Sequence, residues 1–242
     1  ASELIGMLVW IIAWFGTAQA WTVNTNDLGA ELSWSEVQIG WTLNTTGDHA
    51  LDLVELQSAI EGAAGQWNGV EDSRVALRYL GPGTATSADY TDGQNAIYFE
   101  PDWELDDSLL AVTYVWSLED GTITAFDMAV NTQDHDWSTQ GATNANDLYN
   151  TVTHEFGHAL GLAHSSLSDA SMYESTYEGE TIKRDIDTDD EHGMRYLYSE
   201  LSYQAPTIAE STSGFGCAVA RDGSGLLGLL GLLPVLCLRR RG

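Results

Sequence analysis

Three of the chain's six histidines, His154, His158 and His164, fall within the stretch HEFGHALGLAH, with Glu155 beside the first. Residues four apart on a helix project from one face, so the imidazoles of His154 and His158 can share a metal ion. A helix cannot bring a third ligand to the same point unless the chain turns away. Gly161 supplies that turn, because glycine adopts the left-handed conformation that ends helices at no steric cost. His164 then completes a three-nitrogen site. Three neutral ligands leave zinc one tetrahedral position for water, which marks a catalytic site rather than a structural one. Zinc acidifies that water, and Glu155 is placed to take its proton and hand it to a leaving amine. Met172, eight residues beyond His164 in ASMY, would give the ion an apolar floor without coordinating it. Taken singly, two histidines on a polar helix face are often only solvated and a methionine is ordinary core. The full spacing, with its glycine, third histidine and methionine, fits far fewer sequences by accident.

The elements that must hold these residues follow from periodicity. The zinc helix is expected to open at Asn146 or Asp147, both good N-caps, and to run to about Leu160. Leu148, Tyr149, Val152, Phe156, Ala159 and Leu160 share one side of its wheel, with His154 and His158 opposite, facing a cleft. Alternation at Val37, Ile39, Trp41 and Leu43 reads as a half-buried strand. Leu53, Leu56, Ile60, Ala63, Ala64 and Trp67 form one stripe on a helix. Strand-like runs follow at Val75–Leu80, Asn95–Phe99, Leu109–Ser117 and Thr122–Asn131, between turns rich in Gly, Asp and Pro. A last helix begins near Thr188, where Thr188-Asp189-Asp190-Glu191 fits a capping box, and continues through Tyr198. The expected fold is α+β: a twisted, mixed, five-stranded sheet, a covering helix, the zinc helix, a methionine turn and a C-terminal helix. His49, His135 and His192 are expected on the surface.

HEFGHALGLAHSS, the eight-residue gap and MY together resemble the metzincins, and among them the matrixins, in which serine follows the third histidine as Ser165 follows His164. DDEHGMRYLY (Asp189 to Tyr198) is similar to that family's closing helix, and Leu109-Leu110-Ala111 to its edge strand. The resemblance covers Val37 to Tyr198. It implies a zincin-like fold and a zinc endopeptidase whose protein substrate lies extended along Leu110 and Ala111, with Tyr173 onward walling the pocket for the side chain after the cut bond. Three departures matter. No cysteine precedes the zinc helix in this sequence, so latency by a propeptide thiol on zinc is not expected. Val112 and Ala125 stand where the family has histidines for a second zinc, so one catalytic zinc is expected. Glu174 replaces the proline that follows MY, which puts specificity in question. Asp127 matches a family calcium ligand, but a lone aspartate on a strand can equally cap a turn; calcium stays a second candidate cofactor. The oxygen-rich stretches at Glu100–Asp107 and Asn131–Trp137 read as solvated loops or calcium sites. The rival reading is a metal-holding surface adhesion module that keeps the fold without proteolysis.

A chain of 242 residues suits one packed domain with extensions. Its 43% hydrophobic content excludes disorder as the source of its acidity. Between Trp21 and Gly216 stand 34 acids and five bases, a net charge of −29, which argues against nucleic acid and anionic lipid as partners. The apolar run Leu4–Phe15, followed by Ala18-Gln19-Ala20, reads as a signal peptide over residues 1–20, with a retained membrane anchor as the alternative. The metallopeptidase domain is expected over 21–200 and a linker over 201–216. Residues 217–242 hold Gly216-Cys217 at their edge, a polar spacer, an apolar stretch from Leu226 to Leu238 and three arginines. That arrangement resembles a Myxo-CTERM sorting tag, which implies that Cys217 is where the chain is processed or anchored; a plain tail anchor is the alternative. An exported monomer is expected, secreted or held at the cell surface, with membrane contact only through this tail before processing. The only cysteines, Cys217 and Cys237, leave the domain without a disulfide.

Overall fold

The computed structural model describes residues 19–47 and 49–199, together with the backbone of two strands at 231–235 and 239–240. A short strand β1 (Thr22–Val23) precedes β2 (Gln38–Leu43), helix α1 (Leu53–Asn68) and strands β3 (Ala76–Pro82), β4 (Ala96–Glu100), β5 (Ala111–Ser117) and β6 (Ile123–Asn131). Short strands β7 (Trp137–Ser138) and β8 (Asn146–Asp147) lead into helix α2 (Leu148–Ala159). After it come β9 (Leu162–Ala163), β10 (Ser175–Thr176), a 3-10 turn at Ile182–Arg184, helix α3 (Thr188–Tyr198), β11 (Gly231–Val235) and β12 (Arg239–Arg240).

The main sheet is mixed, as the strand pattern predicts. Strands β2, β3, β4 and β6 pair in parallel and β5 runs antiparallel to β6, giving the order β5-β6-β4-β2-β3. A parallel neighbour requires a crossover, and α1 supplies it between β2 and β3. The five expected strands are all present, and their bounds lie within two residues of those read from periodicity. A sixth strand, β11, joins outside β5. Residues 231–235 of the apolar stretch are thus extended, and no described helix is long and apolar enough to cross a membrane.

Helix α1 starts at Asp52, whose carboxylate accepts from the Val54 and Glu55 amides. It buries Leu56, Ala59, Ile60, Ala63, Ala64 and Trp67. Leu53, the first member of the expected stripe, is instead exposed in the opening turn. Trp67 is joined to α2 through its indole N–H, which donates to the Thr153 carbonyl at 2.8 Å. One apolar core runs between the helices and the sheet, including Trp41, Trp67, Phe126, Phe156 and Tyr198, all at most 1% exposed. A smaller cluster, Tyr98, Trp103, Leu109, Val112 and Ala129, covers the opposite face of the sheet. Along β5, Ala111 and Val115 enter the main core and Val112 the smaller cluster, so Thr113 points toward the helices.

Two expectations are corrected. The cap of α3 is Asp187 rather than Thr188, and the capping box pairs Asp187 with Asp190; the helix therefore starts one place earlier than a cap at Thr188 would set. His49 and His135 are buried and His192 half-buried, not on the surface. The loop before α1 folds back so that the His49 ring rests 4.6 Å from that of Phe99, while its two nitrogens meet the Thr45 carbonyl and the Leu51 amide.

Candidate metal centre

Helix α2 is capped by Asp147, whose side chain accepts from the Asn150 amide at 2.9 Å. The helix is buried on every side: His154 and Glu155 are 0% exposed and His158 1%, although the wheel places them opposite the core stripe. It ends at Leu160, and Gly161 follows with φ of +92°. A Cβ at that position would also approach the Leu32 carbonyl oxygen to 2.3 Å, so glycine is required twice over. The chain then doubles back through β9, held antiparallel to β1 by the pairs Thr22↔Ala163 and Val23↔Leu162. Thr22 Oγ1 donates to the His164 carbonyl at 2.8 Å, fixing the loop that carries the third imidazole.

The three imidazoles converge, with ring centroids 4.7, 5.2 and 5.0 Å apart and one ligand atom from each within 4.8 Å of the others. His154 Nδ1 lies 2.6 Å from the Ser171 carbonyl and His158 Nδ1 2.9 Å from the Leu162 carbonyl. A carbonyl can only accept, so Nδ1 carries the proton in both rings and Nε2 presents its lone pair. Neither Nε2 has a hydrogen-bond partner among the described residues, although both are buried. Burial, then the neighbouring His158 and His164, holds His154 well below the ordinary imidazole range. Burial and His164 push His158 down to about 3. Two neutral nitrogens aimed at a common point with no protein partner, and a third beside them, fit a divalent metal of zinc's type.

Glu155 is held from the sheet. Thr113 Oγ1 lies 2.7 Å from Glu155 Oε2, and 3.2 Å from the Glu155 carbonyl. The threonine was not singled out from the sequence, although its parity with Ala111 and Val115 is a signal that could have found it. Met172 is buried directly beneath α2, where a Cβ on Gly157 would come within 2.2 Å of its sulfur. The turn carrying Met172 is anchored by α3: Asp190 accepts from the amides of Ser171 at 2.7 Å and Met172 at 3.1 Å, and also from its own helix cap. Burial pushes the Asp190 carboxyl up to about 6. Next to it, Asp189 accepts from Ser165 Oγ and from the Ala20 amide, tying the segment before β1 to the same helix. Nothing in the sequence alone pointed to these long-range anchors.

The remaining candidates are placed as follows. Leu110 and Ala111 are fully buried at the start of β5. Tyr173 is half-buried beside the turn, with the buried Lys183 ammonium 5.8 Å from its ring and Lys183 paired to Glu180. Val112 and Ala125 are buried and offer no ligand atom. Asp127 is buried on β6, and its two oxygens accept from the Asp89 and Ala96 amides at 2.8 Å each. Capping is thus the use its contacts display, and burial pushes its carboxyl up to about 7. Much of the oxygen density of the acidic loops is spent locally, as where Asn131 Oδ1 accepts from Gln133 and Asp134 and Asp106 Oδ1 from Ser108. Cys217 lies outside the described residues.

A helix that supplies two imidazoles and the carboxylate between them, closed by a third imidazole after a glycine turn, defines a zincin-like metal centre on an α+β scaffold. Residues 33–199 match the Matrixin family, more than half of the chain, and the chain belongs to that family. Among similar proteins, Metalloendoproteinase 2-MMP of Arabidopsis thaliana is 34% identical over 115 residues, which is 41% of this chain and 30% of that protein. Human matrilysin is 36% identical over 70 residues, 29% of this chain and 26% of its own length. Interstitial collagenase of Bos taurus is 41% identical over 90 residues, 34% of this chain and 18% of its own. The matched segments thus span less than a third of each of these relatives.

Proposed function

We propose that the chain is a zinc-dependent endopeptidase that hydrolyses peptide bonds in extracellular proteins after export. The observation that carries this reading is the convergence of three imidazoles, with at least two Nε2 lone pairs directed at a common point, beside the carboxylate of Glu155. His154, His158 and His164 would hold one zinc. When bound, the ion supplies Lewis acidity, polarising a scissile carbonyl and making water a stronger acid. Glu155 would serve as the proton acceptor, with Oε2 engaged by Thr113 Oγ1, which orients the carboxylate. The same carboxyl returns the proton to the amine that leaves. The Met172 turn excludes water from beneath the ligands. Leu110 and Ala111 would offer backbone groups to an extended substrate, and the segment from Tyr173, with Glu174 in place of proline, would shape the pocket after the cut bond.

The test compares the zinc-loaded chain with Glu155→Ala on a casein-like unfolded protein, with and without chelator. The variant should retain zinc and lose turnover by about a thousandfold or more. Unchanged turnover removes Glu155 from the mechanism. Full zinc occupancy with no cleavage by either chain, with the carboxy-terminal tail removed as well as present, favours the adhesion module.

A further inference from the structure

The edge of β5 is not bare. Gly231–Val235 pairs antiparallel with it, from Gly231 opposite Ser117 to Val235 opposite Thr113. Four residues beyond Val235, Arg239 and Arg240 pair in parallel with Ser175 and Thr176 of β10. Strands β5 and β10 are both bonded to helix α2, which carries His154 and His158. On one side, Thr113 holds Glu155; on the other, β10 follows Met172 and Tyr173, and Thr176 Oγ1 lies 3.3 Å from Asn150 Nδ2 in the first turn of α2. A peptide recognised by backbone pairing must lie extended against such strands, and the carboxy-terminal segment takes that posture on both sides. Charge complementarity favours the arrangement too. The sequence carries three arginines at 239–241, opposite in sign to a body with 34 acids and five bases between Trp21 and Gly216.

We propose that the tail strands Gly231–Val235 and Arg239–Arg240 are the resident occupants of the cleft, so that the full chain is latent and turns over substrate once they are withdrawn or removed. This rests on the peptidase reading and gives that site a regulator other than a thiol preceding the zinc helix.

Pro234 makes the proposal testable residue by residue. A proline is held in a strand with its nitrogen facing away from the ladder. Alternation then directs the amides of Leu233 and Val235 toward β5 and that of Leu232 outward. In the zinc-loaded full chain, Leu233→Pro should raise kcat/KM on an unstructured fluorogenic peptide by about tenfold or more, and Leu232→Pro by far less. A labelled synthetic peptide of residues 231–240 should bind the Leu233→Pro chain, compete with substrate there, and bind the parent chain more weakly. Equal turnover in all three chains, or no binding of the peptide to Leu233→Pro, overturns the proposal. Peptide bound to Leu233→Pro with no turnover in any chain supports the docking and overturns the peptidase reading, so the two failures are distinct.

Discussion

Thr113 is a hydroxyl on an otherwise apolar strand face, and its contact with Glu155 Oε2 defines what it does. Hydrogen bonds to charged groups contribute about 1.5–3 kcal/mol. Thr113→Val, close in shape, should therefore lower kcat about tenfold or more with KM little changed, and Thr113→Ser should recover most of it. A rise in KM alone would show that the threonine only packs. Asp127 offers a second residue-level expectation, in stability. Its carboxyl has an ordinary value of 3.8 and is raised to about 7 in the folded chain, so the fold binds a proton there that the unfolded chain releases. Its contribution is fully present below about 4 and is lost as pH rises through about 7. Thermal unfolding of Asp127→Asn should show a flatter pH dependence across that window than the parent. Parallel curves would remove Asp127 as the source. Added calcium should leave the parent's midpoint unmoved if capping is its whole role.

At the scale of elements, Gly157 sets how closely α2 can sit on Met172. Gly157→Ala would drive a methyl group to 2.2 Å from the Met172 sulfur and 2.9 Å from Trp67, both buried. Overpacking of that kind costs about 1–3 kcal/mol, and the displaced turn carries Ser171, the partner of His154. The variant should unfold several degrees earlier and bind zinc more weakly; wild-type values for both would show that the turn is soft. The sequence made α1, α2 and the five strands legible because each repeats its apolar pattern over several turns or pleats. Gly161 was legible because a helix end and a required bend coincide there. What stayed hidden was non-local. Thr113 meets Glu155 across 42 residues, Asp190 meets the methionine turn across 18, and Ala20 meets Asp189 across 169. Two-residue strands such as β1 and β9 are too short to carry a period. The N-cap of α3 was misplaced by one because Asp187 and Thr188 are both competent caps.

The whole molecule is acidic, with a formal net charge of −27, and folds around buried imidazoles kept neutral. Self-repulsion among exposed acids is screened by salt, so the thermal midpoint should rise between low and physiological ionic strength; a fall would mean that ion pairs dominate instead. On the proposed reading, three imidazoles gathered from a helix and the loop beyond it also link metal binding to folding, since the unfolded chain holds no such site. Chelation should lower the midpoint, and added zinc restore it. X-ray absorption at the zinc edge, on the purified full chain, bears most directly on the metal centre. It should find one zinc per chain with three imidazole nitrogen ligands, and neither zinc nor that signature after His158→Ala. Purified chain without stoichiometric zinc, or zinc held by a shell lacking the imidazoles, would contradict the centre from which the proposed chemistry is built.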